Sequence, residues 1–174
     1  MKKKIVFSLL FLFAGITISW AGKIWKSKDP ARFISANCHK DEKLTDNTFG
    51  AFQLNLSRLR KQAASAPEND IRHSNTVINI PYPDGTLRTF RIIQAGTMSK
   101  ELQAQYPQIR SYSGEMVENP SVTARFDFNE SGFHALVREL TDQVVIEPFC
   151  SASKAYYVCY FKSTYRSVRS AEMR

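Results

Sequence analysis

Apolar and polar residues alternate most regularly between Ser121 and Phe128. Val122, Ala124, Phe126 and Phe128 share one face, and Ser121, Thr123, Arg125 and Asp127 share the other. Period-two alternation marks a strand with one buried face. Asn129-Glu130-Ser131-Gly132 turns the chain, and residues 133–139 return with Phe133, Ala135 and Val137 inward. Thr141-Asp142 makes another turn, after which residues 143–149 and 155–163 complete a meander. Upstream, residues 76–80 and 87–94 flank Pro83-Asp84-Gly85, a strong short hairpin signal. In the second of these strands Phe90 and Ile92 face one way, and Thr89 and Arg91 face solvent. Residues 48–54 alternate weakly and fit a first strand, and residues 109–113 form a short strand closed by Gly114.

Two stretches carry a helical period instead. Asn55 is a good N-cap for residues 56–65, where Leu56, Leu59 and Ala63 fall on one face. Ser99 caps a second helix over residues 100–106, which Pro107 stops. About seven strands and two short helices predict an α+β domain: a mainly antiparallel sheet with the helices packed on one face. Residues 22–46 are polar and aperiodic and read as an irregular leader arm. The domain then covers residues 47–163, and residues 164–174 read as a tail.

The first 21 residues change the class of the protein. Met1-Lys2-Lys3-Lys4 precedes an uncharged, mostly apolar run, and Ser19-Trp20-Ala21 places small residues where a signal peptidase reads. This is the pattern of a secretory signal peptide. The uninterrupted apolar run is short for a membrane span, which needs about 20 residues. The chain is therefore expected to be secreted or periplasmic, touching the membrane only through the cleaved segment. Removing residues 1–21 leaves 153 of 174 residues, and the loss of three lysines takes the net charge from +8 to +5. That size is one ordinary domain. The basic residues are spread along the chain rather than striped, which argues against nucleic acid as a partner.

Candidate chemistry is sparse. The three cysteines are Cys38, Cys150 and Cys159, an odd number. A turn centred near Ala152-Ser153 puts Cys159 opposite Ile146 rather than opposite Cys150, against a bond between the last two. His39 adjoins Cys38 in the mobile-looking arm, His73 sits beside Arg72 in a loop, and His134 lies on the outward face of a strand. No spacing of the kinds that hold zinc or calcium occurs, and no glycine-rich phosphate loop occurs. No cofactor is expected, and no enzyme activity. The last strand, Tyr156-Tyr157-Val158-Cys159-Tyr160-Phe161, has aromatics on both faces. Either Tyr157 and Phe161 form a binding surface beside Cys159, or the leader arm or first helix covers them.

Several motifs, taken in order, resemble the N-terminal prodomain of secreted bacterial zinc metalloproteases of the reprolysin-like (metzincin) type, common in Bacteroidetes. They are Pro81, Pro83, Asp84 and Gly85 in the hairpin, then Met98, then Tyr106-Pro107, then Ile109-Arg110-Ser111-Tyr112-Ser113-Gly114. Pro120, Gly132-Phe133-His134-Ala135, Ile146-Glu147-Pro148 and Tyr156-Tyr157 follow. The resemblance covers about residues 48–165. It implies a module that assists folding of a secreted zinc metallopeptidase and keeps it latent by covering its cleft. It also implies a thiolate that could ligate the partner's zinc, with Cys38 the better placed and Cys159 the poorer. No zinc-binding helix follows in this chain, so no protease active-site residue carries over. The chain is expected to be a truncated or fragmentary precursor, or a stand-alone relative of the prodomain. The alternative function is a free-standing extracytoplasmic β-rich interaction or adhesion domain.

Overall fold

The computed structural model describes residues 23–29, 49–96, 99–106, 109–150 and 153–164. The strands among them are β1 (Trp25–Lys28), β2 (Phe49–Leu54), β3 (Val77–Pro81), β4 (Leu87–Gln94), β5 (Arg110–Met116), β6 (Thr123–Asn129), β7 (Gly132–Arg138), β8 (Gln143–Cys150) and β9 (Ser153–Phe161). Among the described residues, α1 (Leu56–Ala63) and α2 (Lys100–Gln105) are helices, Ile71–His73 is a 3-10 turn, and residues 162–164 are helical. All nine strands join one antiparallel sheet in the order β1-β2-β9-β8-β7-β6-β5-β4-β3. The meander from β3 to β9 follows from short connections, except between β4 and β5, where residues 95–109 include α2. The two N-terminal strands then add to its far side beside β9.

The sheet curls until its two edges come within side-chain reach, giving a nearly closed, barrel-like body. One face of every strand turns inward. Fully buried Phe52, Ile78, Ile80, Phe90, Phe133, Val137, Ile146 and Tyr157 belong to a single cluster that also holds Trp25, Tyr112, Phe126 and Phe128. Each large side chain so buried contributes about 1.5–3 kcal/mol. Tyr112 and Phe126, register partners on β5 and β6, stack at 5.0 Å and 9°.

The ends are crossed by specific contacts. Asn55 caps α1 by accepting from the Arg58 N–H at 3.1 Å, and Leu59 and Ala63 bury one helix face. At one mouth Arg60 donates to the Asn129 carbonyl at 3.1 Å and lies 5.6 Å over the Phe128 ring. At the other mouth the Tyr82 hydroxyl donates to Glu139 Oε1 at 2.9 Å, tying the β3–β4 hairpin to the turn after β7.

The seam between β1 and β3 is closed by side chains rather than by a strand ladder. The Tyr82 N–H bonds the Thr86 carbonyl, so the alternation of an antiparallel pair turns the backbone groups of residues 78 and 80 towards β4 and those of residues 77, 79 and 81 away. Each of those three outward carbonyls accepts from a different element. Gln62 Nε2 of α1 reaches Val77 O at 2.8 Å, Trp25 Nε1 of β1 reaches Asn79 O at 2.8 Å, and Cys159 Sγ of β9 reaches Pro81 O at 3.1 Å. Pro81 has no N–H to offer. An edge so occupied does not template further pairing.

Several expectations are corrected. Nine strands replace about seven. Within the stretch expected to be an irregular arm, Trp25–Lys28 is a strand, and Trp25 is only 3% exposed. Residues 30–46, the rest of that arm, lie outside the described residues. Gly114 does not close a strand. It sits in the middle of β5, where a Cβ would stand 3.0 Å from the Arg91 carbonyl, so glycine there permits close approach of β4. The helices do not share one packed face: α1 bonds the β3 edge, whereas α2 leaves Leu102 exposed. In contrast, the register of the last hairpin pairs Ile146 with Cys159, as the turn position requires, and Cys159 is free.

Candidate functional site

Most residues that carry the sequence resemblance are framework. Pro81 ends β3 and gives its carbonyl to Cys159. Asp84 accepts from the Thr86 N–H at 2.9 Å and from the Thr86 hydroxyl, which bends the hairpin through Pro83 and Gly85. Desolvation is the largest single influence on the Asp84 carboxyl and pushes its pKa up, but those hydrogen bonds, with Arg88 nearby, together hold it below its ordinary value. Tyr112 and Phe133 are core, and Tyr106 is exposed. Pro148 is half-buried and pairs with Tyr157 across β8 and β9, and Tyr156 pairs with Gln53 of β2. Met98, Pro107 and Cys38 lie outside the described residues.

Of the two readings of the last strand, Tyr157 meets the one in which it is covered: Trp25, from the stretch expected to be an arm, lies edge-on to it at 5.6 Å. Tyr157 is fully buried, and its hydroxyl accepts from the Phe133 N–H at 3.1 Å. Burial raises its pKa, with that hydrogen bond opposing. The inward face of β9 therefore carries Tyr157 and Cys159, and Phe161 is half-buried against the same core. The turn residue Gly132 makes this possible. Its φ is +133°, and a Cβ there would lie 2.7 Å from the Tyr157 hydroxyl. Burial also raises the pKa of Cys159, and the Asp84 charge adds to the effect, so the thiol stays protonated. It is consequently no thiolate ligand in the folded body.

Two concave surfaces remain as candidates. The first is a trough on the outer face of β5 to β8, about 370 Å³, with Arg125, Asp127, His134 and Glu147 among its walls. The β6–β7 register sets Asp127 directly across from His134. Desolvation pushes the Asp127 carboxyl up, with His134 and the Asn129 side chain opposing. Glu147 accepts from the Tyr160 hydroxyl at 2.8 Å. Ser131 and His134 meet at 2.8 Å, which invites a reading as a nucleophile and its base. The proton positions decide otherwise. Asn129 Nδ2 donates to Asp127, which fixes Asn129 Oδ1 towards the turn, and the Ser131 hydroxyl donates to that oxygen at 2.6 Å. His134 then gives its Nε2 proton to Ser131, so this network caps a turn and does not activate a hydroxyl. His73 is separate, on the exposed 3-10 turn, 2.8 Å from Asp70, and that bond is the main cause of the lowered Asp70 pKa. Among the described residues no three His, Cys, Asp or Glu side chains gather as a metal set.

The second surface is a groove of about 770 Å³ along the seam, between β1 and the β3–β4 hairpin. Its floor includes Trp25 and Phe52, and Lys23 and Lys26 stand at its β1 side. Sequence reasoning misses this site because it reads β1 as part of an arm. The available signal is Trp25-Lys26-Ser27-Lys28, where an aromatic and a small residue on one face alternate with two lysines. Comparison with family models, curated proteins and solved structures gave no match for this chain.

Proposed function

We propose that the protein is a prodomain-like binding module that assists folding of a secreted zinc metallopeptidase and keeps it latent by covering its cleft. The observation that carries this reading is where the motif residues sit. Pro81, Asp84, Gly85, Tyr112, Gly132, Phe133 and Tyr157 all build one barrel-like body: they shape the β3–β4 hairpin, fill the interior and let Tyr157 seat against the turn before β7. A module of that kind acts by the shape it presents. The charged-then-apolar pattern of residues 1–21 supports an extracytoplasmic location for both partners.

Residues 22–174, which keep β1, should be titrated against the mature catalytic domain of a reprolysin-like peptidase with a fluorogenic peptide substrate. Inhibition at micromolar concentration is expected. Absence of inhibition there would remove the reading in favour of a free-standing interaction or adhesion domain. Cys38→Ser separates the two latency mechanisms: undiminished inhibition means steric cover, and a large loss means thiolate ligation of the partner's zinc.

A further inference from the structure

Among the described residues, the seam leaves one sheet edge open. The Asn55 N–H bonds the Ile24 carbonyl at 2.8 Å, so residues 24, 26 and 28 direct their backbone groups to β2. The N–H and C=O of Trp25 and Ser27 consequently point the other way, into the groove. The facing edge of β3 is unavailable, because its outward carbonyls are taken by Gln62, Trp25 and Cys159. Gln62 adds a second observation. It lines the groove, and its Oε1 is buried with no hydrogen-bond partner while its Nε2 is held by Val77. A buried acceptor left unmade is costly, and a donor reaching it from the groove would relieve that cost.

We propose that this groove takes an extended acidic peptide segment, added as a further strand on the free edge of β1. The edge spans Trp25 to Lys28, and at about 3.3 Å per residue it matches four to six residues of extended chain. Alternate side chains of such a segment would lie on the inner side over Trp25, and these should be apolar. The intervening ones would stand beside Lys23 and Lys26, and these should be acidic. Lysines on a short edge strand also repel neutral or basic strands, so the same residues that guard the edge against self-association select the ligand's charge. Main-chain bonds supply affinity in this mode and side-chain alternation supplies choice. The inference does not require a peptidase partner and stands or falls apart from the prodomain reading.

The test is fluorescence anisotropy with the full chain and a labelled eight-residue peptide in which glutamate alternates with valine. Saturable micromolar binding is expected. A lysine–valine peptide, and a glutamate–valine peptide N-methylated at every second residue in each register, should each bind at least about tenfold more weakly, the equivalent of one or two lost backbone hydrogen bonds. Ser27→Pro removes an N–H that faces the groove and none that faces β2, so it should fold normally by circular dichroism and lose binding. Lys26→Glu should weaken the acidic peptide and leave the fold intact. No binding of the glutamate–valine peptide overturns the proposal, and so does binding that N-methylation leaves unchanged. The methylated peptides decide the matter whether or not Ser27→Pro folds.

Discussion

Replacing Trp25 separates a barrel that needs β1 from a domain that starts at Phe49. The indole is 3% exposed, and it meets Phe52, Phe133 and Tyr157 edge-on at centroid distances of 6.2, 5.7 and 5.6 Å. Its Nε1 caps Asn79 O at 2.8 Å. Trp25→Ala removes roughly 200 Å² of buried apolar surface, about 5 kcal/mol by area, and collapse around the cavity brings the expected loss to about 3–5 kcal/mol. Trp25→Phe keeps most of the ring packing but strands the Asn79 carbonyl, at about 1–3 kcal/mol. A domain of this size loses about 2–4 °C in Tm per kcal/mol, so the alanine variant should melt about 6–20 °C lower and the phenylalanine variant about 2–12 °C lower. Urea and thermal unfolding followed by far-UV circular dichroism measure both. A second reading comes from fluorescence. The chain has two tryptophans, Trp20 and Trp25, so emission of residues 22–174 reports Trp25 alone. It should be blue-shifted in the native protein and move red on unfolding. If Trp25→Ala unfolds within about 0.5 kcal/mol of the parent, or the native emission is that of a hydrated indole, then Trp25 is not in the core and the side-chain closure of the seam is wrong.

Gly132→Ala should cost about 3 kcal/mol in urea unfolding, because it combines positive φ with a 2.7 Å approach to the Tyr157 hydroxyl. Tyr157→Phe in the same chain should recover part of that loss, whereas additive losses would place the strain elsewhere. Asp127 has a folded-state pKa above its unfolded value. The native state therefore binds the extra proton, and stability falls as pH rises from the unfolded pKa through the folded one. Asp127→Asn should raise stability at neutral pH and lose that advantage below about pH 3.9, the ordinary aspartate value; a gain that persists in acid would assign it to packing instead. Cys159 should resist iodoacetamide in native protein at pH 8 and react only on unfolding, scored by mass spectrometry with Cys38 and Cys150 both changed to serine; rapid native labelling would mean that the seam opens.

The strands with strong local signals are readable from the chain itself. β6 and β7 alternate over seven residues each, and the turn between them fixes which residues face. From that register the Asp127–His134 pairing is within reach of sequence reasoning, as the Ile146–Cys159 pairing is. β1 is not, because four residues give too short a period to distinguish a strand from a polar arm. Its partner β2 lies more than twenty residues away, and a contact at that range leaves no local mark. The side chosen for Tyr157 is hidden for a related reason. On β9 both faces are apolar: Tyr157 and Cys159 join the interior, and Val158 and Tyr160 join a second buried cluster with Phe49 and Ala51. Alternation cannot choose a face when both are covered.

The seam explains why the chain uses a strand as short as β1 at all. A ladder between β1 and β3 would complete the barrel, and it would need the N–H and C=O groups of both edges in register. Pro81 breaks that ladder by lacking an N–H, and the Trp25 indole and Gln62 amide occupy the carbonyls that remain. Three donors from α1, β1 and β9 converge on one five-residue strand, so the closure depends on elements far apart in sequence and forms only when all are in place. Because all three donors cap β3, the opposite edge at Trp25 and Ser27 keeps its backbone groups for another chain. The seam is thus closed against the protein's own strands and open, on one side only, to an added one.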